Sequence, residues 1–337
     1  MLRNEIAIDL GTSYTLVYVK GKGIVLREPT IVAIDIDKEE IIAVGREAEK
    51  MIGKTPESIE VVRPLRDGVI SDYIITEKYL KNILKRVCKK TFIAPKMMVC
   101  IPSKVTQVEK KALIDVIMQA GASEVYLIEE PKAAAIGAGI DIYKPIGSMV
   151  IDVGGGTTDI AVLSLGDVVG SKSIKVGGNR FDEIIIRYIK KRYELLVGEK
   201  LAEEIKNTIG TLILKEHDEV LSINGRDLKT GLPKDISITS NETIYPLDSA
   251  MQEIVYATEE LLEEIKPELV TDITENSIIL TGGGSLINGM DKYLTELLGI
   301  RVILAKNTDS CVAIGTGKAL SEIEKHNQYK QAFRKEK

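Results

Sequence analysis

An α/β protein built from two similar halves is predicted by three observations. Strand-like apolar runs alternate with amphipathic helical runs along the whole chain. An acidic residue closing a strand and opening a glycine turn occurs twice, as Asp9-Leu-Gly-Thr and as Asp152-Val-Gly-Gly-Gly-Thr-Thr, 143 residues further on. A third glycine turn, Gly282-Gly283-Gly284, closes another strand in the second half. One such turn alone reads as a plain β-turn. Two at corresponding points of two halves, with a third behind them, point to a duplicated nucleotide site.

The elements follow in order. Ile6-Ala7-Ile8 is an apolar strand, residues 9–13 a turn, Thr15 to Lys20 a second strand and Ile24 to Arg27 a third. From Thr76 to Cys88, Tyr79, Leu80, Ile83, Leu84 and Val87 share one face of a helix. Met97 to Ile101 is a short buried strand stopped by Pro102. Val105, Val108, Ala112 and Val116 then recur at helical spacing until Gly121, which predicts a helix over 105–120. In the second half, Ser148 to Val153 and Ile160 to Leu165 are strands either side of the glycine turn. Helices are expected over 182–193, 202–208 and 247–265, with a turn-broken β insert over 228–243. Ser277 to Thr281 is a strand, and Ser285 to Leu298 reads as a helix after the third turn.

Composition removes several function classes. At 337 residues the chain has room for about two domains and a sizeable core. Its charge, 45 basic against 50 acidic residues, is −5, so the whole surface is no magnet for nucleic acid or membrane. Three Phe, twelve Tyr and no Trp leave little for base stacking, so no nucleic-acid partner is expected. No apolar run reaches the roughly 18 residues of a spanning helix, and no signal-peptide core precedes the first strand. Cys88, Cys100 and Cys311 lack a CxxC pattern and read as reduced, buried thiols in a cytoplasmic protein. With only His217 and His326, zinc chemistry has almost no ligands.

The glycine turns suit phosphate. Without a Cβ, backbone N–H groups can approach phosphate oxygens closely. Two hairpins can grip a triphosphate from two sides, and Asp9 and Asp152 can hold a hydrated Mg²⁺, a cation that keeps its waters and takes few protein ligands. The third turn offers flat backbone to adenosine and ribose. Neither a GxxxxGK[ST] loop nor a GxGxxG fingerprint with its acid is present.

Asp9-Leu-Gly-Thr-Ser, Asp152-Val-Gly-Gly-Gly-Thr-Thr-Asp and Thr281-Gly-Gly-Gly-Ser resemble the two phosphate motifs and the adenosine motif of the actin, heat-shock chaperone and sugar kinase ATPases. The stretches GKGIVLREPTIVAID, MIGKTPESIEVVRPLRDGVISDY, LIEEPKAAAIGAG, AEEIKNTIG and LTGGGSLINGMDKYL are similar to the MreB family of bacterial actins, and the likeness runs to about Ile323. The resemblance implies an actin-like fold of duplicated RNase H-like domains, ATP or ADP in a cleft between them, and Mg²⁺. The first domain would span 1–142, with a small insert at about 32–74 and residues 310–337 packed back onto it. The second would span 143–309, with an insert at about 181–244.

Residue by residue, the resemblance gives Gly11, Thr12 and Ser13 to the first phosphate hairpin and Gly154, Gly155, Gly156 and Thr157 to the second. Asp9 and Asp152 would face the metal, Glu130 would orient the attacking water with Thr157 as helper, and Glu203, Lys206, Gly282, Gly283 and Gly284 would hold the adenosine side. Read without the family, Glu130 is a solvated acid at a helix start, and Glu203 with Lys206 is a surface ion pair three residues apart. Tyr14, beside the first hairpin, stands where the family usually has a small residue or Asn, and Asp159 and the run Gly177 to Asp182 lean toward the chaperone pattern.

The family further implies ATP hydrolysis and a homopolymer of paired protofilaments on the inner face of the cell membrane, working with cell-shape membrane proteins. The helix over 105–120 matches the protofilament-pairing element, exposing Lys111 and Asp115 and burying Leu113 and Ile117. Phe92 and Ile93, flanked by Lys89, Lys90 and Lys96, read either as a membrane-inserting loop on anionic lipid or as an edge-of-core turn. The basic tail over 325–337 reads either as a weak anchor or as a solvated terminus. Lys- and Ile-rich composition suits an AT-rich genome, and the basic tail suits a wall-less cell, where the filament would serve helicity or motility. The rival reading is a soluble small-molecule kinase or nucleotide switch of the same fold.

Overall fold

Strands covered on both faces carry unbroken apolar runs, and the central strands here have that signature. The computed structural model describes residues 5–66, 69–88, 94–103 and 105–335, the last twelve by their backbone only. The chain divides into two units, residues 1–142 with 310–337, and residues 143–309.

In the first unit β1 (Glu5–Leu10), β2 (Tyr14–Val19) and β3 (Gly23–Pro29) form an antiparallel meander. A small antiparallel sheet of β4 (Val32–Asp35), β5 (Glu40–Val44) and β6 (Ile59–Val62) follows, with α1 (Arg46–Glu49) after β5. Next come a short ribbon, β7 (Leu65–Arg66) with β8 (Val69–Ile70), and helix α2 (Tyr73–Val87). Then β9 (Lys96–Ile101), α3 (Gln107–Gln119), β10 (Glu124–Glu129) and α4 (Glu130–Ala138) complete a five-stranded sheet in the order β10-β9-β1-β2-β3. β1, β9 and β10 run parallel.

The second unit repeats the plan. β11 (Ser148–Val153), β12 (Thr158–Ser164) and β13 (Asp167–Ile174) form the meander. Helix α5 (Gly178–Tyr193), β14 (Leu195–Leu196), α6 (Glu199–Ile209), β15 (Val220–Asp227) and β16 (Pro233–Thr239) form the insert. Helices α7 (Ile244–Glu264) and α8 (Pro267–Asn276) lead to β17 (Ile278–Thr281), α9 (Met290–Leu298) and β18 (Val302–Leu304). The sheet order β18-β17-β11-β12-β13, with β11, β17 and β18 parallel, is the first sheet over again. The chain's last helix, α10 (Cys311–Lys335), belongs to the first unit, where it packs along α4.

Each sheet is sandwiched. Ile6, Ile8, Val17, Met97 and Val99 pack against Leu80 and Ile83 of α2 and Val116 and Ile117 of α3. On the other face Met98 meets Ala319 and Leu320 of α10. In the second unit Met149, Ile151, Ile160 and Val162 pack with Phe181 and Ile185 of α5 and Met251 and Ile254 of α7. The close crossing of α4 and α10 rests on glycine. A Cβ at Gly137 would overlap the Cys311 carbonyl, and one at Gly315 the Ala133 carbonyl.

Several expectations need correction. Val108 is 78 % exposed and does not belong to the buried stripe of α3. A capping box between Thr106 and Glu109 starts the helix there, and packing against the sheet takes Leu113, Val116 and Ile117 inward, leaving Val108 outward. Lys111 and Asp115 are exposed, in line with their expected face. Cys88 is only half-buried, unlike Cys100 and Cys311. The third glycine turn runs into a 3₁₀ turn, Gly283–Leu286, and α9 begins later, because Gly289 interrupts the helix with a left-handed φ of 78°. β10, β13 and α8 carried no signal strong enough to predict.

Candidate functional site

Parallel strands gather their carboxyl ends at one sheet edge, where open α/β sheets bind ligands. β1, β9 and β10 bring Asp9, Cys100 and Glu130 to that edge of the first unit. The Cys100 thiol donates to Asp9 Oδ1 at 3.3 Å. Burial pushes the Asp9 carboxyl up to about 6, against a small opposing pull from that hydrogen bond. Burial also raises the Cys100 thiol, helped by the nearby negative charges of Asp9 and Glu130. Glu130 opens α4 and is half-buried, so it is not the solvated acid its sequence context alone suggested.

The first hairpin is closed tightly. Gly11 N donates to Tyr14 O at 3.1 Å. Thr30 braces the turn, its Oγ1 donating to Gly11 O at 2.8 Å and its N to Ser13 O at 2.9 Å. Thr12 is buried, and Gly11 and Ser13 are half-buried. The Tyr14 ring lies under the Arg27 guanidinium, 5.2 Å from its centroid, which gives this large residue a partner on the neighbouring strand.

The second unit carries the same turn. Gly154 N donates to Thr157 O at 2.8 Å, so Asp152, Gly154 and Thr157 repeat Asp9, Gly11 and Tyr14, each 143 positions on. The carbonyls of Gly154 and Gly155 accept from the first amides of α5, Gly178 N at 3.0 Å and Asn179 N at 2.8 Å. In a trans peptide the carbonyl and the following N–H point opposite ways. With those two carbonyls held by the helix start, the N–H groups of Gly155 and Gly156 face away from it, free to meet an anion. A side chain at Gly177 would stand 2.8 Å from Gly154 O, so glycine is required for this approach.

Asp152 and Asp159 are register partners across this hairpin, and both are buried. Thr157 Oγ1 donates to Asp159 Oδ2 at 3.1 Å, and burial raises the Asp159 carboxyl. The third turn sits directly on the second hairpin. Gly282 has φ +87°, and a Cβ there would overlap the Val153 carbonyl and the Asp152 carboxylate. One at Gly284 would stand 2.9 Å from Gly154 O. Gly283, between them, is exposed.

Helix α6 overturns one reading. Lys206 does not form a surface pair with Glu203; it is buried and its Nζ contacts Asp182 Oδ1 at 2.8 Å and donates to Gly178 O at 3.1 Å. The reason is phase: Ala202, Ile205, Lys206 and Ile209 form the buried face of α6, whereas Glu203 stands half-exposed beside it. Burial raises Asp182 to about 6, opposed by Lys206 and reinforced by the charges of Glu203 and Glu199.

With this geometry in place, comparison with known proteins is decisive. The chain matches the MreB/Mbl protein family over residues 3–328. It belongs to the MreB/Mbl family. It is 48 % identical to the cell shape-determining protein Mbl of Bacillus subtilis (strain 168), covering 96 % of this chain and 98 % of that one. It is 46 % identical to the cell shape-determining protein MreB of Escherichia coli (strain K12), over 97 % and 96 % of the two chains. The crystal structure of MreB5 of Spiroplasma citri bound to ADP aligns with a TM-score of 0.93 at 41 % identity, covering 97 % of this chain and 98 % of that one. A structure of the same protein bound to AMPPNP aligns equally well, at 40 % identity. The MamK double helical filament, 22 % identical with a TM-score of 0.80, shares the actin-like fold.

Within each unit of this MreB-family chain the expected site residues converge. Asp9, Gly11, Thr12, Ser13 and Glu130 line one sheet edge of the first. Asp152, Gly154 to Thr157 and Gly282 to Gly284 meet in the second, with Lys206 joined to them through α5. Phe92 and Ile93 lie outside the described residues. Sequence reading missed Cys100 and Asp182 and assigned no role to Gly177 and Gly178. The only available signal was the run Gly177-Gly-Asn-Arg-Phe-Asp opening a helix.

Carboxylates at strand ends are the donors that a hard, hydrated cation prefers. Asp9 and Asp152 offer carboxylate oxygens at equivalent strand ends, and Asp9 is held toward neutrality by burial, a penalty that a bound cation would relieve.

Proposed function

We propose that this chain is an ATP-binding and ATP-hydrolysing bacterial actin that assembles into paired, membrane-associated protofilaments controlling cell shape. The observation that carries the nucleotide reading is the duplication. Two Asp-x-Gly hairpins are closed by the same hydrogen bond, 143 residues apart, in two sheets of one topology. The ADP- and AMPPNP-bound MreB5 structures, at about 40 % identity, support the choice of nucleotide.

In this reading the amides of Gly11 to Ser13 and of Gly155 and Gly156 bind phosphate oxygens, and Gly282 to Gly284 with Glu203 and Lys206 take the adenosine. Asp9 and Asp152 would hold Mg²⁺, which supplies charge neutralisation on the phosphates when bound. Glu130 and Thr157 orient the attacking water. Little more than positioning is required of them, since phosphoryl transfer to water depends on alignment and charge stabilisation rather than on a strong base. Thr157 arrives already oriented by Asp159.

Filament formation follows the family, with self-association as the partner interaction. The chain would work on the inner face of the cell membrane, on anionic lipid, through the Phe92–Ile93 loop and the basic tail, beside cell-shape membrane proteins. Among the described residues no helix is long and apolar enough to cross a membrane. Weak anchors of this kind gain strength by repetition along a polymer.

The test is high-speed pelleting with Mg²⁺-ATP, with and without anionic liposomes, together with phosphate release, on the wild type and Glu130→Ala. The expected result is a wild type that pellets and releases phosphate and a variant that pellets but releases at least tenfold less. A wild type that stays soluble under every condition would overturn the polymer reading and leave a soluble kinase or nucleotide switch.

A further inference from the structure

The Asp182–Lys206 pair lies behind the second hairpin, not on it. Both residues are at least nine-tenths buried, at 9 % and 8 % exposure. Burying an ion pair is seldom the most stable choice, because two apolar side chains of similar volume usually do as well. What an apolar pair cannot do is direct a hydrogen bond. Lys206 Nζ carries three N–H groups. It meets the Asp182 carboxylate at 2.8 Å and donates to Gly178 O at 3.1 Å. Gly178 is the first residue of α5, and Asp182 stands one helical turn after it. Gly178 N and Asn179 N are the two donors that hold the Gly154 and Gly155 carbonyls.

A continuous set of hydrogen bonds therefore runs from α6, through the first turn of α5, to the hairpin that faces phosphate. The need for such a brace is physical. Gly154, Gly155, Gly156, Gly177 and Gly178 are glycines, with no side chains to restrict φ and ψ and the largest backbone entropy to lose. Close approach demands them, since a Cβ at Gly177 or Gly284 would press on the hairpin carbonyls. Their orientation must be imposed from outside, and the Asp182–Lys206 pair is in contact with this segment through Gly178 O.

We infer that Asp182 is a positioning residue for phosphate recognition: by fixing Lys206 on the Gly178 carbonyl it sets the peptide planes of the second hairpin, so that the phosphates, rather than the adenosine, lose affinity when it is removed. This rests on the nucleotide reading given above.

Isothermal titration with Mg²⁺-ADP and with adenosine tests it, on the wild type, Asp182→Asn, Asp182→Glu and Asp182→Ser, each checked by thermal unfolding. The wild type should prefer ADP strongly over adenosine. In Asp182→Asn the ADP-to-adenosine affinity ratio should fall at least tenfold, with adenosine itself within about threefold of wild type. Asp182→Glu should recover part of the ratio. Asp182→Ser, smaller and uncharged, should still show the reduced ratio, which keeps the test open if Asp182→Asn unfolds. A folded Asp182→Asn or Asp182→Ser with the wild-type ratio would overturn the inference and leave the nucleotide reading intact. So would equal losses for both ligands, the mark of a merely structural pair. A wild type that binds neither ligand would overturn the nucleotide reading, and the inference with it.

Discussion

Asp9 gives the sharpest quantitative handle on this protein. Its carboxyl is raised from 3.8 to about 6 by burial at the end of β1. A folded value above the unfolded one means that the native state holds the extra proton, so stability falls as pH rises between about 4 and 6, and the full cost stands above that window. At about 1.4 kcal/mol per pKa unit the rise corresponds to about 3 kcal/mol, and the partial exposure of Asp9 trims this to about 2 kcal/mol. Asp9→Asn removes the charge, keeps the shape and keeps an acceptor for the Cys100 thiol. The nucleotide-free variant should therefore be more stable than wild type at pH 7.5 by about 2 kcal/mol, or about 4–8 °C in Tm. At pH 4.5 the gain should shrink below about 1 kcal/mol. Differential scanning calorimetry at the two pH values, with EDTA and without nucleotide, measures both. The same variant should lose most of the stabilisation that Mg²⁺-ADP confers on the wild type. An Asp9→Asn protein that is no more stable than wild type at pH 7.5, or whose gain is the same at both pH values, would refute burial as the cause.

Three other outcomes are expected. Gly137→Ala should destabilise the first unit by about 3 kcal/mol, because its Cβ meets backbone, not a movable side chain, where α4 crosses α10; urea unfolding reads it. Gly282→Ala should weaken ADP binding at least tenfold while the sheet survives by circular dichroism, since a positive φ and the Val153 and Asp152 oxygens both oppose a methyl group. Asp159→Asn can donate to Thr157 Oγ1 instead of accepting from it; phosphate release should slow about tenfold, with ADP affinity within about threefold of wild type by titration.

Much of this protein was legible in its residues. Ser148–Val153 is the same strand in sequence and structure because an unbroken apolar run between polar turns has little else to become. The three glycine turns were visible because glycine is the residue a tight backbone approach leaves no choice about. The duplication showed in a spacing of 143, since both hairpins descend from one local solution. Local chemistry determined these features, and local chemistry is what a sequence displays.

Other features were decided only by tertiary packing. Val108 matched the helical stripe by spacing, yet packing brings Leu113, Val116 and Ile117 to the sheet and leaves Val108 exposed. Lys206 and Glu203 looked like neighbours on a surface, yet α6 turns Lys206 inward to an aspartate 24 residues away in the chain. Cys100 reached Asp9 across 91 residues because two parallel strands lie side by side. The sequence by itself determined where the glycine turns fall and what lines the central strands β1, β9 and β11. Which side chains are buried together, and so which carboxylates are pushed toward neutrality and which lysine is held from behind, depended on distances between residues remote in sequence. Burial and ion pairing act through space, and only the folded chain defines that space.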